Sequence, residues 1–375
     1  MPMKLKGSGA NIALLLASFL LCVLACETFF YFLNKTTAAY PVVFYKTEDP
    51  HLRLWCYDDH FSGVPDWYLR HDHPFTTLDY AGNIDDDPSI DGLNPEQVPN
   101  AIEVRSNANG FRERPLADLQ KKSADAKVVL LIGDSFCFGQ GVRLEERFSN
   151  VLETKLNEDQ DKAAHQKYML LNHCRAGINI RKIARVMEQS IEKFPQVQQV
   201  VYSFTLNDPL MTREVYAMQK YINDFLHLRQ IHLSEHFRFI NRLPSPTLYW
   251  ATGRIVQNQI SRETIAWYKQ MYADNSGWRH TQKVLLDMHE FCTARDIDFT
   301  LLVFPIYYRL ADYPLGEVHI TLEQFARQNG IHYIDLLEIF AGKNELDYWV
   351  HPKDFHPNNR AHREVAEFLF TTMSW

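Results

Sequence analysis

An α/β domain in three layers, a mainly parallel sheet with helices on both faces, is the fold that this sequence predicts. Three observations predict it. From Lys127 onward, short apolar strand-like runs alternate with amphipathic helical segments. The first run, Val128-Val129-Leu130-Leu131-Ile132, has no polar interruption, as a strand buried on both faces requires. It passes directly into Gly133-Asp134-Ser135-Phe136, a tight turn that presents one serine. Open α/β sheets bind their ligands at such carboxyl ends of parallel strands.

The chain has 375 residues, 46% of them apolar, enough for one large domain or two modest ones. A net charge of −7 and the absence of a long Lys/Arg run argue against nucleic acid as the main partner. A soluble or carbohydrate-like substrate is accommodated more easily.

At the amino terminus, residues 12–33 form a nearly unbroken apolar run, interrupted mainly by Ser18, Glu27 and Thr28. At about 1.5 Å per helical residue it is long enough to cross a bilayer core of about 30 Å. Lys4 and Lys6 precede it and favour a single-pass anchor with the body of the protein on the exported, periplasmic or extracellular, side. A cleaved signal peptide is the alternative, since residues 12–25 would serve as its apolar core and Val23-Leu24-Ala25-Cys26 loosely resembles a lipoprotein processing site. A buried core helix is the third reading. The first two both export the rest of the chain. The anchor is taken as residues 1–35.

Residues 36–120 form an extension rich in aromatics, Asp, Pro and Asn. Asp85-Asp86-Asp87-Pro88 with Asp91-Gly92 reads as a solvated turn, because Pro88 stands where a calcium loop needs glycine. His71 and His73 have no further ligand cluster beside them. Of the six cysteines, Cys22 and Cys26 lie in the apolar run, while Cys56, Cys137, Cys174 and Cys292 are scattered without C-x-x-C spacing. That spacing speaks against zinc and leaves disulfides open but unassigned.

Residues 121–375 carry the α/β pattern. Strands are expected at 128–132, 168–172, 199–204, 299–304 and 332–336, and helices at 148–157, 180–193, 280–295, 322–329 and 360–371. Residues 210–279 interrupt the alternation. Tyr216, Tyr221, Phe225, Leu228, Trp250, Ile255, Trp267 and Tyr268 mark that stretch as a helical insertion.

Acyl transfer by serine needs a base, a group that orients the base, and donors for the developing oxyanion. Ser135 is the candidate nucleophile. Before the last helix, His351-Pro352-Lys353-Asp354-Phe355-His356-Pro357 forms a polar loop, and an extended backbone there would point Asp354 and His356 to the same side. Asn207 and Gly177 each sit just past an expected strand and offer an amide and an unhindered N–H. Each position also has a bland reading: Ser135 as a helix cap, Asn207 as a turn, Gly177 as a strand-end glycine, Asp354 as a turn cap and His356 as a loop histidine. His351 is a second histidine candidate, and Asp335 reads as a strand end.

These four sites, in this order, resemble the SGNH, or GDSL-type, hydrolase family. Gly133-Asp134-Ser135-Phe136 matches its first block, Gly177 its second, Asn207-Asp208 its third and Asp354-Phe355-His356-Pro357-Asn358 its last. Asn107-Ala108-Asn109-Gly110-Phe111-Arg112 is similar to a segment found upstream of the serine in exported members, so the resemblance covers residues 100–372. It implies a flavodoxin-like sheet, Ser135 as nucleophile, His356 as base and Asp354 as its orienter. The Ser135 N–H, the Gly177 N–H and the Asn207 side chain would form the oxyanion hole. The sequence departs from the family in the single residue between Asp354 and His356, which looks like relatives that O-acetylate exported polysaccharides such as alginate. His173-Cys174-Arg175 also replaces the usual approach to the second block, and Ala361 stands where a glycine often follows the histidine.

The expected activity is hydrolysis of O-acyl esters, O-acetyl among them, on exported glycans, with no metal or organic cofactor. A polysaccharide O-acetyltransferase using the same residues is the first alternative. A catalytically silent glycan-binding or assembly protein is the second.

Overall fold

The computed structural model describes residues 18–26, 28, 43–46, 52–56, 102–123, 125–159, 166–218, 261–351, 354–373 and 375. Two compact units divide the chain: Met1–Ala39 with Tyr216–Trp267, and Tyr40–Val215 with Tyr268–Trp375. In the first unit, residues 18–26 are helical, and the Thr28 hydroxyl donates to the Leu24 carbonyl at 2.7 Å. Among the described residues no helix is long and apolar enough to cross a membrane. The rest of the 12–33 run lies outside the described residues, as do His71, His73, the Asp85–Gly92 loop and Tyr221, Phe225, Leu228, Trp250 and Ile255 of the insertion.

Among its described residues the second unit has the strands β1 (Val43–Lys46), β2 (Leu52–Cys56), β3 (Ile102–Arg105), β4 (Ala126–Gly133), β5 (Lys167–Asn172), β6 (Val197–Thr205), β7 (Asp298–Phe304), β8 (His332–Asp335), β9 (Trp349–His351) and β10 (Asp354–Pro357). Its main helices are α1 (Leu116–Ser123), α2 (Ser135–Phe138), α3 (Phe148–Glu158), α4 (Ile180–Lys193), α5 (Ser276–Thr293), α6 (Gly316–Gln328), α7 (Leu337–Phe340) and α8 (Asn359–Thr372).

Five strands form the central sheet in the order β5-β4-β6-β7-β8, every neighbouring pair parallel. This is the flavodoxin-like order, in which the chain steps first to one side of the opening strand and then to the other. Right-handed crossovers therefore put α3 on one face and α4 and α5 on the opposite face. Contacts within the layers agree. The Phe148 N–H at the start of α3 donates to His362 Nδ1 of α8 at 3.2 Å, while Cys292 of α5 touches Met187 of α4, sulfur to sulfur, at 3.8 Å.

The elements follow from their side chains. Val128 to Ile132 are all buried, and removing each such side chain from water contributes on the order of 1.5–3 kcal/mol. In α4, Ile180, Ile183, Met187 and Ile191 recur at helical spacing and are buried, and the Asn179 side chain caps the helix by accepting from Lys182 N–H at 3.3 Å. Asn275 and Asn358 cap α5 and α8 in the same way, through Trp278 N–H at 2.9 Å and Ala361 N–H at 3.0 Å.

Two regions differ from the sequence reading. Within the 36–120 extension, β1, β2 and β3 make a three-stranded antiparallel sheet, with Ile102 and Val104 buried and Glu103 and Arg105 outward. Its strands are four or five residues long, too short for their alternation to stand out. The polar segment before α8 is not a loop but the antiparallel hairpin β9–β10, whose register shifts between Asp354 and Pro357.

His362 lies in the core, stacked on Phe148 at 5.8 Å between ring centroids. Burial, with the charges of Arg147 and Arg112, pushes its imidazole down to about 3. Above pH ~6.5 the ring is neutral folded and unfolded alike; below it the unfolded chain takes up a proton that the folded one refuses. Stability therefore falls as pH drops from ~6.5 toward 3, with His362 contributing about 1.4 kcal/mol per pH unit. Urea denaturation across that range is expected to show a shallower acid slope for His362→Gln by about that amount.

Candidate active site

Ser135 is placed by the end of β4. At Gly133 an added Cβ would lie 2.5 Å from the Ser203 carbonyl oxygen of β6, so only glycine lets the two strands run this close. Asp134 follows, buried, and its Oδ1 accepts from the Phe136 N–H at 3.1 Å and from the Thr205 hydroxyl at 2.7 Å. Burial raises the Asp134 carboxyl above its ordinary value, opposed by those two hydrogen bonds. The capped turn begins α2 with Ser135, which stays half-buried.

The Ser135 Oγ lies 2.9 Å from His356 Nε2. On the other side of the ring, His356 Nδ1 is hydrogen-bonded to Asp354 Oδ1, which also accepts the His356 backbone N–H at 3.2 Å. A carboxylate accepts from Nδ1–H, so Nε2 is left as the acceptor facing the serine hydroxyl. Burial by itself would raise the Asp354 carboxyl; the His356 ring and the hydrogen bonds from His356 and Gln140 outweigh it and hold the acid below its ordinary value. The two residues share a face because one residue separates them on an extended strand. Phe136 closes the ring's flank, 5.4 Å between centroids at 64°.

Gly177 and Asn207 stand in the turns that follow β5 and β6, the two strands flanking β4. Both are exposed, and Gly177 has φ 71°, a backbone that favours glycine. The direct hydrogen-bond chain thus joins Ser135, His356 and Asp354, with Gly177 and Asn207 in the adjoining turns. The Asn207 turn is rigidly tied: Asp208 Oδ2 accepts from Thr205 N–H and the Tyr202 hydroxyl, each at 2.9 Å, and Asp208 N–H returns to the Thr205 carbonyl. Burial, then the nearby Asp134, raises the Asp208 carboxyl well above its ordinary range.

The other histidine and acid candidates stand elsewhere. His351 faces Asp354 across the β9–β10 backbone, while it is the His356 ring that reaches the serine. Asp335 ends β8 and accepts from the His319 ring at 2.9 Å and from Leu337 N–H at 2.8 Å. Among the described residues no cluster of three or more His, Cys, Asp and Glu is arranged to hold a metal.

The structure also supplies what the sequence reading left open. Cys137, on α2, is bonded to Cys174, three residues before Gly177, so a covalent link spans the turn of the serine and its neighbour. Four scattered cysteines gave no basis for that pairing. Beside it, Asn172 Nδ2 donates to the Cys137 carbonyl at 2.9 Å, and Arg175 N–H donates to the Gly133 carbonyl at 3.0 Å. The unusual His173-Cys174-Arg175 segment has a packing role: Phe111 stacks on His173 at 3.9 Å, and the Arg175 guanidinium lies over the Phe111 ring, 4.5 Å from its centroid. Gln140, which no motif marked, brings its amide nitrogen within 3.2 Å of His356 Nδ1.

Fold and site together define an α/β protein with a serine, histidine and aspartate in hydrogen-bond series at the carboxyl end of a parallel sheet. No protein-family model matches the sequence, and no curated protein does. Solved structures that overlap it include a lipase from a goat-rumen metagenome, at 18% identity and TM-score 0.40, over 65% of this chain and 96% of that one. A psychrotrophic esterase from Pseudoalteromonas sp. overlaps at 14% identity and TM-score 0.38, over 65% and 94%. A variant of an acetyl-xylooligosaccharide esterase from Geobacillus overlaps at 12% and 0.38, over 68% and 98%. Likeness at this level does not decide the chemistry of the present site, which rests on its own contacts.

The Cys137–Cys174 bond closes a loop of 37 residues, for which chain entropy gives a stabilisation of about 4 kcal/mol. The double variant Cys137→Ala, Cys174→Ala is expected to lose about 2–4 kcal/mol in chemical denaturation. Addition of a thiol reductant should shift the unfolding midpoint of the parent chain and leave that of the double variant unmoved.

Proposed function

We propose that this chain is a serine ester hydrolase of the SGNH, or GDSL, type, cleaving O-acyl esters through an acyl-serine intermediate. One observation carries the reading: the Ser135 Oγ to His356 Nε2 contact at 2.9 Å, with the opposite ring nitrogen held by Asp354. In this reading His356 takes the Ser135 proton as the hydroxyl attacks the ester carbonyl, and Asp354 steadies the imidazolium that forms. The imidazolium then protonates the leaving alcohol. Water, deprotonated by the same ring, releases the acid and restores Ser135.

The Ser135 N–H, the Gly177 N–H and the Asn207 amide are assigned as donors to the oxyanion of the tetrahedral intermediate. Their support is placement, since the turns of β5 and β6 border the turn of β4 on both sides. The short Asp354-Phe355-His356 spacing, shared with glycan-modifying relatives, supports O-acetyl groups on an exported glycan as the substrate class. The apolar 12–33 run with Lys4 and Lys6 before it supports a membrane anchor and an exported domain. A disulfide beside the serine suits an oxidising compartment.

Ser135→Ala and His356→Ala are each expected to abolish turnover of a short aryl acetate with the fold intact, and the double variant to lose little more. Substantial activity in either single variant would remove the assignment. Asn207→Ala should lower kcat by about a hundredfold with little change in KM, the signature of a lost oxyanion donor. With an acetyl donor and a panel of oligosaccharides, free acetate is expected as the main product; acetylated sugar as the main product, dependent on Ser135, would place the activity with acyl transfer.

A further inference from the structure

The turn after α2 presents one side chain to the His356–Asp354 pair. Gly139 and Gly141 have φ 74° and 81°, and between them Gln140 returns its backbone N–H to the Ser135 carbonyl at 3.2 Å. Two buried arginines fix that turn. Arg112 donates to the carbonyls of Gly139 at 2.7 Å and Val142 at 2.6 Å, and Arg147 donates to the Arg112 carbonyl at 2.8 Å. No side chain fits at Gly139, where a Cβ would meet Arg147 Cγ at 2.5 Å. The half-buried Gln140 therefore has little freedom, and its amide nitrogen sits 3.2 Å from His356 Nδ1.

That ring nitrogen already gives its hydrogen to Asp354 and has no lone pair for a second donor. The amide hydrogen is thus directed to the adjacent carboxylate, with which Gln140 also interacts.

The geometry points to Gln140 as a positioning residue of the catalytic pair, a neutral donor that shares the Asp354 carboxylate with His356 Nδ1–H and fixes the orientation of both. This assignment rests on the ester-hydrolase reading for its effect on turnover, although not for its effect on the ring. A neutral amide suits the place because it completes the hydrogen bonding of the carboxylate without adding charge beside the imidazolium. Among the described residues, Asp354, Asp134 and His362 are in electrostatic contact with His356. A carboxylate in place of the Gln140 amide would add a negative charge to that set.

The test uses the full chain with Gln140→Leu and Gln140→Glu, thermal melting serving as the fold control. With a short aryl acetate, Gln140→Leu is expected to lower kcat about tenfold while KM stays within about twofold. Gln140→Glu should move the acid limb of the kcat/KM profile upward by about one pH unit, because a nearby like-signed partner to Asp354 favours the protonated ring. Independently of turnover, NMR of the chain with 15N-labelled histidine, the His356 resonance identified by its loss in His356→Ala, should show the ring titrating at higher pH in Gln140→Glu than in the parent. A kcat, an acid limb and a ring titration all unchanged in both variants would overturn the assignment, as would a change confined to KM, which would make Gln140 a substrate contact. If the parent hydrolyses no ester while the ring titration still moves, the ester reading fails and the positioning assignment stands.

Discussion

The burial of β4 on both faces, between β5 and β6, is the constraint on which the site depends. From Val128 to Gly133 the strand is fully buried and carries no polar side chain, so the next polar groups, Asp134 and Ser135, fall at the carboxyl edge of the sheet. The chain steps from β4 to β5 on one side and crosses back to β6 on the other, so the strand order reverses at β4, the place where open α/β sheets bind their ligands. Three turns stand side by side at that edge, carrying Ser135, Gly177 and Asn207. Close approach of β4 and β6 is possible only because residue 133 has no side chain.

Below that edge the polar atoms are arranged in chains whose members satisfy one another. Asp134 receives the Thr205 hydroxyl, Thr205 N–H goes to Asp208, and Asp208 receives the Tyr202 hydroxyl, so the serine and Asn207 turns share one buried network. Removing these carboxyls from water is costly without partners, and the partners in turn permit only one arrangement of the two turns. A second network secures the opposite flank. Arg114 binds both oxygens of Glu153, at 2.6 and 3.0 Å, while Glu113 Oε2 accepts from Asn172 N–H at 3.1 Å at the end of β5. The 107–114 segment is therefore a wedge that stiffens β5 and the turn behind the serine.

His356 is brought to Ser135 across 221 residues of sequence, and local chain geometry alone could not hold it there. The hairpin that carries it is anchored at both ends. Trp349 Nε1 donates to the Tyr307 carbonyl at 2.6 Å just beyond β7, and Asn358 both caps α8 and donates back to the Trp349 carbonyl at 3.2 Å. Packing of α8 on α3, with neutral His362 against Phe148, then fixes the hairpin to the same layer that follows the serine turn.

Much of this was legible in the chain. The uninterrupted run at 128–132 and the strand-like runs near 168, 199, 299 and 332 are all strands of the sheet, and the helix expected over 180–193 spans Ile180–Lys193. The run at 128–132 and the helix at 180–193 are legible because their polarity and period are set by their own residues, while the short β8 is marked by its place between two helical segments. Motif spacing singled out Ser135, Asp354 and His356, the three side chains that meet in space. The short strands β1 to β3, the Cys137–Cys174 pairing and the place of Gln140 were not legible, because each is decided by partners distant in sequence rather than by neighbours along it. What the sequence determined by itself is which segments must be buried and which residues stand at their ends, since both follow from local polarity and period. What only the tertiary structure decided is which of those ends meet: His356 reaches Ser135 because the β9–β10 hairpin is tied to Tyr307 through Trp349, and Gln140 faces the pair because Arg112 and Arg147 hold its turn. Those are long-range contacts, and their hydrogen bonds exist only once the sheet and its helices have closed around them.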